Sequence, residues 1–194
     1  MDKLIKTFND ALAEWEVIRA IRLDFSLPAS MTSEEQAVLD IPDLLTAYQK
    51  LNDRLRKKIS LKRNWKVEFS EDKGLHIHTV YYFDSKQVTG FNLKANLYKT
   101  ICDWWGDITN EKGIINLVPS YKSDSDNAFA TSGQPHYSTL LTKNTSHLNT
   151  TSKEAYLYNI QKNKHHCPAG WVHWISYLAK DEQNANDHYK KCLG

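Results

Sequence analysis

The run GLHIHTVYYF, Gly74 to Phe83, places two histidines one residue apart inside one of the most apolar stretches of the chain. In a strand, side chains alternate between faces, so His76 and His78 point one way while Leu75, Ile77 and Thr79 point the other. Two imidazoles then converge on one object. A turn-forming SEDKG precedes the run, and before it stands WKVEF, Trp65 to Phe69. With a hairpin turn centred on Asp72, Ser70 opposes Gly74 and Glu68 opposes His76 on the same face. Two neutral imidazoles and an ionised carboxylate make a divalent-metal site with positions left open for a substrate phosphate and water, as a catalytic metal requires. A slip of one residue would turn Glu68 away and offer Lys66 or Asp72 instead. The plainer alternative is a pair of partly buried histidines hydrogen-bonded to neighbours, with Glu68 solvated.

A metal that holds a phosphate needs a nucleophile. In WVHWISYLAKDEQ, Tyr177 and Lys180 lie three residues apart, on one face of a helix. Tyrosine is a weak nucleophile near neutrality, so attack requires a polarised phosphate and a positive neighbour that favours the phenolate. Lys180 is placed to be that neighbour.

These residues need elements to position them. WEVIRAIRLDFSL, residues 15–27, has the composition of a first strand, closed by Pro28, with Arg22 and Asp24 sharing a face that would line a substrate groove. Ser33 followed by Glu34, Glu35 and Gln36 is a helix start, and Leu44, Leu45, Tyr48, Leu51, Leu55 and Ile59 continue it as an apolar stripe. The hairpin of Trp65–Phe69 and Leu75–Phe83 follows. Leu93, Leu97, Ile101 and Trp104 or Trp105 predict a second helix over 92–105 that ends near Gly106, and GIINLVPSY, 113–121, predicts another strand. Residues 122–153 are rich in Ser, Thr and Asn without a sustained period and read as a long loop or insertion. AYLYNI, 155–160, and a helix over 171–183 complete the order. The expected class is α+β, in a single domain over residues 1–194.

Composition agrees with one folded unit: 194 residues with 41% hydrophobic and 11% aromatic content. A net charge of +2 is too small to imply a nucleic-acid or membrane partner. Its distribution says more, because Lys50, Arg54, Arg56, Lys57, Lys58, Lys62, Arg63 and Lys66 face a single acid, Asp53, between 50 and 66. Such a local field suits a phosphate backbone, and a solvated helix face is the competing reading. Trp104, Trp105, Trp171 and Trp174 could stack on unpaired bases, though core packing is the commoner role for each.

No apolar run reaches the length of a membrane span, and MDKLIKTFNDALAEWEV carries charges where a secretory leader needs an apolar centre. The odd set Cys102, Cys167 and Cys192 argues against a disulfide framework. Cytoplasm is the expected location. Zinc binding around HHCPAGWVH, through His165, His166, Cys167 and His173, is weaker, because adjacent histidines diverge and no Cys-x-x-Cys pair exists.

His-hydrophobic-His on a central strand, followed downstream by Tyr-x-x-Lys on a helix, resembles the HUH endonucleases that initiate rolling-circle replication. The runs GLHIHTVYYF, ICDWWGDIT and WISYLAKDEQ, with a Glu68 strand before the first, look more closely like the inovirus-type replication proteins of filamentous phages and prophages. The resemblance spans about residues 15–183 in order. It implies a central antiparallel sheet of about five strands with helices packed on it. It also implies metal ligands at His76, His78 and Glu68, binding Mg²⁺ or Mn²⁺, with Tyr177 as the nucleophile and Lys180 as its helper. DNA contacts are expected at Lys50, Arg54, Lys57, Lys58, Lys62, Arg63 and Arg22.

The implied reaction nicks and rejoins single-stranded or hairpin-extruded DNA at an origin, leaving a 5′-phosphotyrosyl link and a 3′-hydroxyl that a host polymerase extends in the bacterial cytoplasm. No Gly-x-x-x-x-Gly-Lys occurs, so strand separation would need a host helicase. A single-tyrosine transposase or relaxase shares these motifs. A non-catalytic single-stranded DNA-binding protein on the same fold is the reading from a different class.

Overall fold

The structure, a computed structural model, describes residues 2–15, 17–27, 34–70, 74–88, 97–118, 139–142 and 178. In chain order these form α1 (Asp2–Glu14), β1 (Val17–Ser26), α2 (Glu34–Arg56), β2 (Leu61–Ser70), β3 (Gly74–Asp84), α3 (Tyr98–Thr109), β4 (Ile114–Val118) and β5 (Thr139–Thr142). All five strands join one antiparallel sheet in the order β2-β3-β1-β4, with β5 beside the first half of β1. The class is therefore α+β with a five-stranded antiparallel sheet, as expected.

The two central strands explain their own composition. Every residue of β3 from Gly74 to Phe83 is buried, and so is every residue of β1 from Ala20 to Ser26. A strand covered on both faces has no solvent side, which is why GLHIHTVYYF lacks the usual polar alternation. β2 is an edge strand, and its polar LKRN start extends pairing four residues before the expected Trp65, out to Leu61 opposite Phe83.

On one face, Ile21, Leu23, Phe25, Val67, Ile77, Tyr81 and Phe83 pack against Leu44, Tyr48, Leu51 and Leu55 of α2 and Ile101 and Trp105 of α3. Phe25 sits among three rings in edge-on contact, with centroids 5.6 Å from Tyr48, 6.3 Å from Tyr81 and 5.1 Å from Trp105, an arrangement worth more than its area alone. Trp105 is thus a core residue, and Trp104 packs partly buried against the same cluster. Trp171 and Trp174 lie outside the described residues.

The opposite face carries the histidines and is divided along its length. At one end Ile18, Ala20, Val80 and Tyr82 are sealed by Leu4, Phe8, Ala11 and Leu12 of α1 and by Trp15 just after it, together with Leu178. At the other end the same face is polar, with Arg22, Asp24, Lys66, His76 and His78 all buried. The sheet register forces this division. Val80 and Tyr82 follow His76 and His78 at intervals of two, so one strand face runs from polar to apolar.

Three features differ from the sequence reading. α1 was not expected as a helix, although Leu4, Phe8, Ala11, Leu12 and Trp15 recur at three- and four-residue spacing. The α3 helix passes through Gly106 and ends at Thr109, because Ile101, Trp105 and Thr109 continue a buried stripe at steps of four. Asn110 then closes it in the left-handed region at φ 53°, and the Thr109 hydroxyl accepts from the Gly113 amide at 2.9 Å. Within the expected loop 122–153, Thr139–Thr142 is a strand opposite residues 17–20 of β1; four residues are too few to show a period. The rest of that segment, the ordered run expected at 155–160 and the final helix lie outside the described residues, apart from Leu178, which is helical and fully buried. Among the described residues no helix is long and apolar enough to cross a membrane.

Phe8 is 1% exposed and its ring centroid lies 5.9 Å from that of Tyr82. Phe8→Ala should lower the unfolding free energy by roughly 3–5 kcal/mol in urea denaturation. A loss below about 1 kcal/mol would mean that α1 does not seal this end of the histidine face.

Candidate metal centre

The hairpin register is the one the sequence predicted: Ser70 pairs with Gly74, Glu68 with His76 and Lys66 with His78. Glu68, His76 and His78 therefore share one face, and one donor atom from each lies within 4.8 Å of the other two. This group can hold a metal ion. Its rings meet edge to face, with centroids 4.5 Å apart and planes at 84°.

The second nitrogen of each ring decides which nitrogen faces the ion. His76 Nδ1 lies 2.8 Å from the Gly74 carbonyl. A carbonyl only accepts, so Nδ1 carries the proton and Nε2 keeps its lone pair, 4.0 Å from Glu68 Oε2. Gly74 can offer that carbonyl because its φ of 65° suits a residue without a side chain.

His78 is held by Asp24, its cross-strand neighbour on β1, whose Oδ1 lies 2.8 Å from Nδ1. Arg22 Nη2 also approaches Nδ1, at 3.0 Å. Both cannot bond to it at once. A lone pair on Nδ1 would face the Asp24 carboxylate at the shorter distance, so Nδ1 donates to Asp24, and Arg22 donates to Asp24 from Nε at 3.2 Å and Nη2 at 3.5 Å. His78 Nε2 then points at Glu68 Oε2, 2.9 Å away. Both imidazoles thus turn Nε2 toward the carboxylate and anchor Nδ1 behind. A carbonyl or carboxylate behind a ligating imidazole fixes tautomer and ring direction.

The electrostatics of this group follow from its contacts. The hydrogen bond from His78 holds the Glu68 carboxyl down to about 2, against the opposing effect of burial and with help from Lys66. Burial pushes His76 below its ordinary value, and the neighbouring His78 adds to this. Burial also pulls His78 downward, but hydrogen bonds to Asp24 and Glu68 together outweigh it and leave the imidazole above its ordinary value. Asp24 is lowered in spite of burial, through the hydrogen bond and charge of His78 and then through Arg22. Without a metal, the proton on His78 Nε2 bridges to Glu68. A metal would take the proton's place.

Of the expected DNA contacts, Lys50, Arg54, Lys57, Lys58, Lys62 and Arg63 are not gathered at this group, whereas Arg22 is. α2 packs on the face opposite the histidines, as the 2.9 Å contact between Tyr48 Oη and Thr79 Oγ1 shows, so exposed Lys50, Arg54, Lys57 and Lys58 lie beyond that layer. Arg54 Nη1 is 3.5 Å from Asp107, and Lys58 lies over the Trp104 ring. Arg63 stacks on Tyr48 on that same side, 5.3 Å from the ring centre. Lys62 is on the histidine face but at its far end, bound to Glu14 at 2.8 Å and over Trp15. Among the described residues, the cations brought to the ligand group are Arg22 and Lys66. Tyr177, Lys180 and the segment with His165, His166, Cys167 and His173 lie outside the described residues. The role of Asp24 behind His78 escaped the sequence reading, because only the β1–β3 register brings the two together.

The sign of the pH dependence is fixed by these shifts. His78 is raised above its ordinary 6.5, so its contribution to the metal-free fold is complete below that value and is lost as pH rises through the folded one. Glu68, lowered from 4.5 to about 2, contributes above 4.5 and loses this as pH falls toward about 2. Metal uptake at about pH 6 should therefore release about one proton, and progressively less as pH rises through the folded value of His78. Calorimetry in two buffers of different ionisation heat measures this, and zero release at the lower pH would remove His78 Nε2 from the ligand set. Searches of protein-family models, curated proteins and solved structures find no match to the chain.

Proposed function

We propose that the chain is a metal-dependent enzyme that nicks and rejoins one strand of DNA at a replication origin, using Tyr177 as nucleophile. The observation that carries the reading is the convergence of Glu68 Oε2 with the Nε2 atoms of His76 and His78, both rings anchored from behind. Three protein ligands leave coordination positions for substrate, the pattern of a catalytic metal. The donor set of one carboxylate and two imidazoles fits Mn²⁺ or Mg²⁺ completed by phosphate and water oxygens, and it also accepts softer ions.

When bound, the metal would polarise the scissile phosphate and offset charge that develops on its oxygens. The chain supplies the rest. Asp24 and the Gly74 carbonyl hold the imidazoles at their working orientation. The Tyr177 hydroxyl loses its proton and attacks phosphorus; the bond to the 3′-oxygen breaks, and that oxygen leaves to become the 3′-hydroxyl. The 5′-phosphate is then esterified to Tyr177 until a hydroxyl reverses the step. Lys180 offsets charge at the phenolate and phosphate.

Leu178 is the one described residue beyond Thr142. It is bonded to Tyr177 through one peptide unit and is buried in the apolar cluster of the histidine-bearing face, with Val80 and Tyr82. A host helicase and polymerase would act before and after the nick in the bacterial cytoplasm.

The test is incubation of the protein with labelled single-stranded oligonucleotides and Mn²⁺, followed by denaturing electrophoresis beside Tyr177→Phe and His76→Ala. An adduct that survives denaturation should form with the unaltered chain and fall by at least about a hundredfold in both variants. DNA binding without an adduct, equal in all three proteins, would leave a non-catalytic DNA-binding module.

A further inference from the structure

The sheet register carries the rows of candidate ligands past β1 to β4. Glu68 pairs with His76, His76 with Ser26 and Ser26 with Ile114; in the next row His78 pairs with Asp24 and Asp24 with Asn116. Residues paired across strands share a face, so Ile114 and Asn116 lie on the histidine-bearing side. The rest of β4 agrees, because Ile115 and Leu117 pack against the core cluster on the α2 side. Neighbouring strands are about 4.8 Å apart, which puts the backbone at Ile114 about 10 Å from that at His76, and Asn116 equally far from His78.

Burial changes sharply along these rows. His76, His78, Asp24 and Ser26 are 8% exposed or less, whereas Ile114 is 52% exposed and Asn116 is exposed too. Among the described residues Ile114 is the one large apolar side chain left exposed. A single exposed isoleucine is ordinary on a protein surface; this one stands at the open end of a row that holds two candidate ligands. Its backbone is also fixed from behind. The Gly113 amide donates to Thr109 Oγ1 at 2.9 Å, and Gly113 lies so close to Trp105 that a Cβ there would collide with the indole.

Alternation puts Val118 on the same face, so an amide stands between two apolar side chains. That set carries no charge to meet a phosphate. A nucleobase has the matching parts, an apolar ring face and an edge of donors and acceptors, and the asparagine amide offers both a donor and an acceptor to such an edge. A short extended run of nucleotides spans the distance from the ligand group to β4.

We propose that Ile114 and Asn116 form a nucleobase subsite for a base that flanks the phosphodiester at the ligand group, with Ile114 against the ring face and Asn116 against the edge. The inference rests on the reading of the chain as an enzyme acting on single-stranded DNA and adds where that strand's sequence is read.

The experiment measures fluorescence anisotropy of labelled oligo-dA, oligo-dC, oligo-dT and an abasic strand of equal length, with the full chain and Mn²⁺. All proteins carry Tyr177→Phe so that DNA is not consumed. Ile114→Thr keeps strand propensity and should weaken binding of the base-bearing strands by about threefold or more, with the abasic strand unaffected. Ile114→Leu should keep the parent's affinities. Asn116→Ala should narrow the spread among the three base types by about threefold or more. Mn²⁺ uptake, followed by electron paramagnetic resonance, should be the same in all.

Equal affinities of the parent, Ile114→Thr and Asn116→Ala for every strand overturn the proposal, and so does an equal loss on base-bearing and abasic strands. Should Ile114→Thr not fold, Ile114→Gln is judged by the same criterion. A parent that sediments as a dimer, with Ile114→Thr a monomer of unchanged DNA affinity, overturns it in favour of a second copy at this edge. A parent that binds no strand removes the DNA reading itself. That failure is distinct from a parent that tells base-bearing from abasic strands as well as both variants do.

Discussion

Glu68 opposes His76 because β2 and β3 are joined by a short connection that leaves Ser70 facing Gly74. Pairing at that point fixes every row behind it, and a shift by one residue would exchange the two sheet faces. Glu68 would then lie with Ile77 and Tyr81, under α2, and Val67 would face the imidazoles. Neither position tolerates the exchange. An unpaired carboxylate among Leu44, Tyr48 and Phe25 costs several kcal/mol by desolvation, so the apolar layer on one face protects the arrangement of charges on the other.

The polar end of the histidine face holds Arg22, Asp24, Lys66 and His78 at 8% exposure or less. Such groups are destabilising unless each charge is answered. Here the answers are chained: Arg22 to Asp24, Asp24 to His78, His78 to Glu68, and Lys66 to Glu68. The chain crosses three strands, and removal of a middle member breaks it. A packed apolar layer would make a more stable sheet. That the sheet carries a charged row at its centre, beside a well-packed apolar half under α1, is the strongest physical argument that the row serves chemistry rather than folding.

Much of this was legible in the sequence because it depends on short-range rules. The hairpin around residues 70–74 announces itself by turn-forming residues between two β-rich runs, and alternation then places Glu68, His76 and His78 on one face. Asp24 was visible only as a neighbour of Arg22 on one strand. Its place behind His78 depends on β1 pairing with β3 at a sequence separation of more than fifty residues, which no local pattern encodes. The basic run shows the opposite case. Lys50 to Lys66 is continuous in sequence, yet a helix and a strand on different layers divide it, so its charges point to both sides of the sheet. Charged residues among Leu4, Phe8 and Leu12 hide the helical period of α1, and Gly106 looks like a stop in sequence although the buried stripe of Ile101, Trp105 and Thr109 runs past it.

All three candidate ligands sit on a single hairpin, between Glu68 and His78. Gathering them closes only a short stretch of chain, and the entropy lost in doing so grows slowly with loop length and is small here. Long-range pairing with β1 contributes orientation, through Asp24, but not proximity. The site is thus modular in an entropic sense: its ligands are brought together by the cheapest contacts in the fold, while the costly, distant contacts are reserved for aiming them.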